Sequence, residues 1–192
     1  MRYPPDHKQR TGERILQAAA SLFRKRGYAA TGVDAVMASA DLTAGAFYSH
    51  FRSKENLLAR ALEKAFSESS RNWPEQLKKF RGRAWVRKFA SFYLSKEHRD
   101  RPEQGCPVPA LAAEIGRIGG SSRVVFERHL REWLETIERQ LETDRTDHLG
   151  AIPAVALCVG GLMLARAVRD PALSDQILNT CRDAVAEQRV SV

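Results

Sequence analysis

Five hydrogen-bond-donating side chains stand close together in this chain: Thr43, Tyr48, Ser49, His50 and Lys54. Hydroxyl, imidazole and ammonium groups in one short stretch are suited to holding an anion, phosphate foremost. Between them lie Ala44, Gly45 and Ala46, stripped of bulk. Thr31, at the start of an earlier short helix, adds another hydroxyl. A second pair, Cys106 and His98, carries nucleophile and base types. Cys106 lies just before a helix, and a helix N-terminus can lower a thiol pKa. No orienting acid or oxyanion hole stands at a recognisable spacing from this pair. Two ligands also fall short of a metal site. The expectation is therefore no catalytic residue, no metal and no cofactor. A third group, Trp85, Phe89, Phe92, Phe126 and Trp133, reads either as the lining of a small-molecule pocket or as plain core.

The bulk sequence frames these groups. The chain has 192 residues, 43% hydrophobic, enough for a real core. Its formal charge of +8 suggests a polyanionic partner. Residues 1–53 hold eight Lys or Arg against four acids, so half of the excess sits in the N-terminal quarter. Three widely spaced cysteines without a CxxC fit a reduced cytoplasmic protein. No apolar leader opens the chain, and the run 150–165 is short for a membrane span and holds Pro153, Gly160 and Gly161. It reads as a buried helix, with the glycine pair marking close helix-helix approach at a dimer seam or a pocket wall.

Helical periodicity recurs along the chain, and strand signals are nearly absent. The expected class is all-α with about nine helices. Ile15, Ala19, Leu22 and Phe23 define a helix over 11–26, stopped by Gly27. Thr31 and Gly32 offer a cap for a short helix carrying Val33, Val36 and Met37. Thr43–His50 forms the next, and Ser53 caps a longer one from Lys54. Pro74 marks its end. Further helices are expected over 83–93, 108–118, from 121 through 141, 152–168 and 172–188, with 95–107 a polar loop.

On a helical wheel, Phe47 and Phe51 point together and inward, while Gly45 and Ser49 lie opposite. Tyr48 and Ala46 sit at the shoulders. A slim outward face flanked by hydroxyls suits a groove about 12 Å wide. A short helix, a tight turn and this segment make a helix-turn-helix, whose second helix docks in the major groove.

The stretch from Glu13 to Leu62 resembles the DNA-binding domain of the TetR family of bacterial transcriptional regulators. Its most specific piece is Thr43-x-Gly45-x-Phe47-Tyr48-x-His50-Phe51-x-Ser53-Lys54-Glu55. The resemblance implies a helix-turn-helix domain over 1–53 and a helical regulatory and dimerisation domain over 54–192. It makes 43–50 the recognition helix and gives phosphate contacts to Tyr48, His50, Lys54 and Thr31. It implies a double-stranded, palindromic operator, a small-molecule effector and a homodimer through the last two helices. The function it implies is a repressor released by its effector; an activator, or a redox-responsive regulator sensing through Cys106, is the alternative. Two positions depart from the family. Asp41 stands where glycine is usual in the turn, and Asp tolerates a left-handed backbone better than most residues. Ala44 stands where a larger, basic side chain is frequent. Readout is then expected from Thr43, Ser49, thymine-methyl contacts and DNA shape.

Overall fold

The computed structural model describes residues 5–71, 73, 75–141 and 150–187. Among them the secondary structure is entirely helical: nine α-helices and three 3₁₀ segments. The α-helices are α1 (Pro5–Arg26), α2 (Val33–Ser39), α3 (Lys54–Arg71), α4 (Gly82–Tyr93), α5 (Lys96–Asp100), α6 (Val108–Ile118), α7 (Gly120–Leu141), α8 (Ala151–Ala167) and α9 (Pro171–Glu187). The 3₁₀ segments are Ala44–Ser49, Glu75–Lys79 and Pro102–Gln104.

Most expected elements are present, with informative differences. The first helix begins before Thr11, at Pro5, a residue favoured in a first helical turn because its missing N–H has no intrahelical partner there. The stretch expected as a polar loop, 95–107, contains α5 and a 3₁₀ turn. Ser95 Oγ accepts from the His98 N–H at 3.2 Å, a local cap that makes one helical turn worthwhile in a polar stretch. Thr43–His50 is helical but wound as 3₁₀ over 44–49. Pro74, the expected helix stop, lies outside the described residues, as does the last position of 172–188.

Packing divides the chain into two compact units. One is Met1–Arg71 with Pro102–Glu127, and the other is Asn72–Arg101 with Arg128–Val192. In the first unit α1 packs on α3, and α2 and α6 pack on α1. Ile15, Ala19, Phe23, Met37, Phe47 and Leu57 are all at most 1% exposed. Burying each large side chain stabilises by about 1.5–3 kcal/mol. Arg24 is a charged member of this core. Its Nη2 donates to Glu68 Oε2 at 2.8 Å, its Nε to Ala20 O and its Nη1 to Gly105 O. A buried guanidinium with all these partners is satisfied, and removing Glu68 would leave it uncompensated.

In the second unit α8 packs on α9, and α4 packs on α9. Ala154, Val155, Cys158, Gly161, Leu162 and Ala165 form the buried side of α8. Its other side is not buried. Ile152 is 70% exposed, Leu164 58% and Met163 41%, and they share that side with Ala156 and Ala167. The helix read from sequence as buried is thus covered on one face only among the described residues.

Candidate nucleic-acid interface

Two backbone devices shape the turn before the 3₁₀ segment. Asp41 has φ +52°, the left-handed conformation that its residue type tolerates. Its N–H donates to Ala38 O at 3.0 Å, and that of Leu42 to Met37 O at 3.0 Å. Arg14 of α1 ties this turn down: Nη2 donates to Ala40 O and lies 3.5 Å from the Asp41 carboxylate. Thr43, still extended, caps the 3₁₀ segment, and its carbonyl accepts from Ala46 N–H at 3.1 Å.

The 3₁₀ segment is anchored by its aromatics. Phe47 and Phe51 are each 1% exposed, stacked at 5.7 Å between ring centroids. Tyr48 crosses Phe47 edge-on at 5.2 Å yet is 78% exposed, so its hydroxyl stands clear of the core. Thr43, Ala44, Gly45 and Ser49 are exposed as well, with Ala46 and His50 half-buried. No atom lies within 4 Å of where a Gly45 Cβ would stand. Ser49 Oγ donates to Ala46 O at 2.7 Å, which leaves its lone pairs outward. The result is a slim, open face with hydroxyls at its edges.

Lys54 begins α3, after Ser53 Oγ accepts the Asn56 N–H at 3.0 Å as the cap. Its Nζ donates to Tyr28 O at 2.7 Å and lies 4.1 Å from the Tyr28 ring centre. Burial lowers its pKa, partly opposed by Glu114. An ammonium has three donors, so one bond to Tyr28 leaves capacity for an anion. Burial raises the Tyr28 phenol pKa, with Glu55 and Glu114 adding to it.

Thr31 is placed differently from its expected role. It is 0% exposed, and its hydroxyl donates to Gly27 O at 2.7 Å. Gly32, not Thr31, occupies the cap position of α2, without a side-chain bond. Thr31 therefore shapes the α1–α2 turn and offers no surface to an anion in this conformation.

Glu114 of α6 was not legible in the sequence. Its carboxylate accepts the backbone N–H groups of Tyr28 at 2.8 Å and Ala29 at 2.7 Å. The turn between α1 and α2 is thus pinned by Glu114 and Lys54 from two other helices. The acceptor lies 85 or more positions away along the chain, and no local pattern announces such a pairing.

The remaining candidates separate. Trp85, Phe89 and Trp133 do come together, 5%, 2% and 8% exposed, joined by Trp73 and Tyr93. Trp85 and Phe89 stack at 5.2 Å, and Phe89 meets Trp133 at 6.0 Å. Trp133 Nε1 is buried with no hydrogen-bond partner among the described residues. Phe92 faces His98 instead, at 6.4 Å, and Phe126 belongs to the other unit, 6.0 Å from Phe66. His98 Nδ1–H donates to Tyr93 O at 2.7 Å. Burial lowers the His98 pKa to about 4, opposed by that bond and reinforced by Arg166. Cys106 is buried and not in a disulfide. Among the described residues no cluster of three His, Cys, Asp or Glu is placed to hold a metal, and no helix is long and apolar enough to cross a membrane.

Comparison with known proteins bears on both units. Residues 15–61 match the family model described as bacterial regulatory proteins, tetR family, and residues 82–181 match that of the tetracyclin repressor-like C-terminal domain. The transcriptional repressor NemR of Escherichia coli (strain K12) is 25% identical over 140 residues, 72% of this chain and 70% of NemR. The uncharacterised regulator YerO of Bacillus subtilis (strain 168) is 45% identical over 51 residues, 27% of this chain but 18% of YerO. In fold the chain is similar to a TetR transcriptional regulator from Chloroflexus aurantiacus J-10-FL, with a TM-score of 0.77, 24% identity and 95% of each chain covered.

Proposed function

This chain belongs to the tetR family of bacterial regulatory proteins, and from that premise we propose that it is a repressor released from its operator by a small molecule. It is a DNA-binding transcriptional regulator. In our reading residues 1–53 bind DNA and 54–192 serve regulation and dimerisation. The observation that carries the DNA assignment is the slim exposed face of 44–49 mounted on the buried Phe47 and Phe51.

Thr43, Ala44, Gly45, Ala46 and Ser49 meet base edges and methyl groups, where small side chains allow close approach. Tyr48, His50 and Lys54 hold phosphates, and Thr31 fixes the turn behind them. Repression is supported by the similarity to NemR, a transcriptional repressor. The open face of α8 supports a homodimer through α8 and α9, since an apolar helix side left uncovered calls for a partner. A dimer presents two recognition segments to a palindromic operator. The aromatic cluster of Trp85, Phe89 and Trp133 supports an effector site nearby, with Trp133 Nε1 as the donor for an acceptor on the ligand. An effector that binds the DNA-incompetent conformation better shifts the population off the operator.

Selection of bound fragments from genomic DNA, followed by affinity measurement at fixed salt, tests this reading. Selected duplex is expected to bind at least about 1000-fold tighter than random duplex. Tyr48→Ala is expected to weaken binding about tenfold with an unchanged unfolding temperature. Equal affinity for selected and random duplex would overturn the assignment.

A further inference from the structure

A cleft of about 400 Å³ opens beside the end of the recognition segment. Lys8, Gln9 and Gly12 of α1, Ser49 and His50, and Arg60 of α3 line it. Glu13 also borders it, and its carboxylate lies 3.6 Å from Lys64. Three stretches distant in sequence thus bring an ammonium, an imidazole and a guanidinium to one concavity. Arg60 is held in place over the Phe51 ring, 4.8 Å from its centre. Among the described residues, no carboxylate forms an ion pair with Lys8 or Arg60. Gly12 brings α1 close to the end of the recognition segment: a Cβ there would stand in ordinary contact with His50 Nδ1, at 3.5 Å. Two cations that pair with no carboxylate among the described residues, beside hydrogen-bonding groups, make a seat for a tetrahedral oxyanion, with the Glu13 carboxylate at its border turned to Lys64.

We propose that this cleft seats a phosphate of the DNA backbone, contacted by Lys8 and Arg60. The inference rests on the reading of 43–54 as the DNA-contacting surface. Ser49 and His50 belong to both surfaces, so a duplex lying on the recognition segment has its backbone within reach of the cleft. The contact extends the interface to α1 and further along α3, beyond the 43–55 motif, and adds affinity without adding sequence preference.

The test uses the full chain and its selected duplex, with affinity measured from roughly 50 to 200 mM salt. Lys8→Ala and Lys8→Ala/Arg60→Gln are compared with wild type and with Lys25→Ala, an exposed α1 cation outside the cleft. Lys8→Ala is expected to weaken binding about threefold to tenfold on selected and random duplex alike. The double variant is expected to reduce the slope of log K against log salt by about 0.9, one phosphate. Lys25→Ala is expected to change neither. Arg60→Gln exposes Phe51 and can unfold the unit, so Lys8→Ala, on an exposed turn, decides the outcome if the double variant melts early. Unchanged affinity and slope in Lys8→Ala overturn the proposal. A further arm titrates inorganic phosphate at constant ionic strength, reading the His50 ring resonances. If phosphate saturates the cleft while Lys8→Ala binds duplex as wild type does, the seat serves a free anion and the proposal falls. Failure of wild type to prefer any duplex removes the parent reading instead, and this inference with it.

Discussion

At His98 the half-buried imidazole faces the Tyr93 carbonyl and lies 4.7 Å from the Tyr93 ring, edge-on. Its pKa falls from the ordinary 6.5 to about 4. Between those values the unfolded chain binds a proton that the folded chain does not, so stability rises with pH across the window. It is fully present above pH 6.5 and is lost as pH falls toward 4, by up to about 3 kcal/mol. His98→Gln, which cannot titrate, is expected to flatten this dependence, as read from urea midpoints at about pH 7 and about pH 4.5. By sequence alone His98 and Cys106 make a candidate reactive pair, since only their proximity along the chain is visible there. Thr31 teaches the same point from the other side. Its hydroxyl was legible, but its burial and its bond to Gly27 were not. Asp41 was readable, because a left-handed turn depends on the residue's own backbone preference.

Among the elements, α6 acts on the helix-turn-helix through Glu114. Two amides of the α1–α2 turn depend on one carboxylate. Glu114→Ala leaves both N–H groups without that acceptor and is expected to cost about 2–3 kcal/mol. Faster hydrogen exchange at Tyr28 and Ala29 and a lower unfolding midpoint are the readouts. Glu114→Gln keeps a neutral acceptor and is expected to recover part of the loss. The glycine pair of α8 offers a second comparison. A Cβ on Gly161 would lie 2.8 Å from Cys181 Sγ and 3.2 Å from Leu94 Cδ2, whereas nothing lies within 4 Å of one on Gly160. Gly161→Ala is expected to destabilise by about 1–3 kcal/mol through overpacking. Gly160→Ala is expected to stabilise the isolated fold by about 1 kcal/mol through helix propensity. Urea unfolding of each variant separates the two. The sequence marked this pair as a place of close approach. The opposite surroundings of its members follow from their separation of about 100° around the helix, which only packing against α9 converts into different neighbours.

For the whole molecule, the open side of α8 is where assembly is expected to act. Met163→Glu adds a charge to the exposed row of Ile152, Ala156 and Met163 without touching the buried side. Sedimentation is expected to show half the wild-type mass. Operator affinity is expected to fall by at least about 100-fold, because two half-site contacts no longer share one bound state. The helical content of the variant should be unchanged. Retention of wild-type mass would move the interface elsewhere.

Most of the long helices, the turn at Asp41 and the inward phenylalanines of 47 and 51 were determined by the sequence itself. Each depends on propensity or periodicity within a few residues. Only the tertiary structure decided that Thr31 is buried, that Glu114 holds a turn 85 residues away, that Phe126 and Trp133 serve different units, and that Lys8 and Arg60 share a cleft. These are contacts between elements, and a chain's local preferences leave open which faces of two helices will meet.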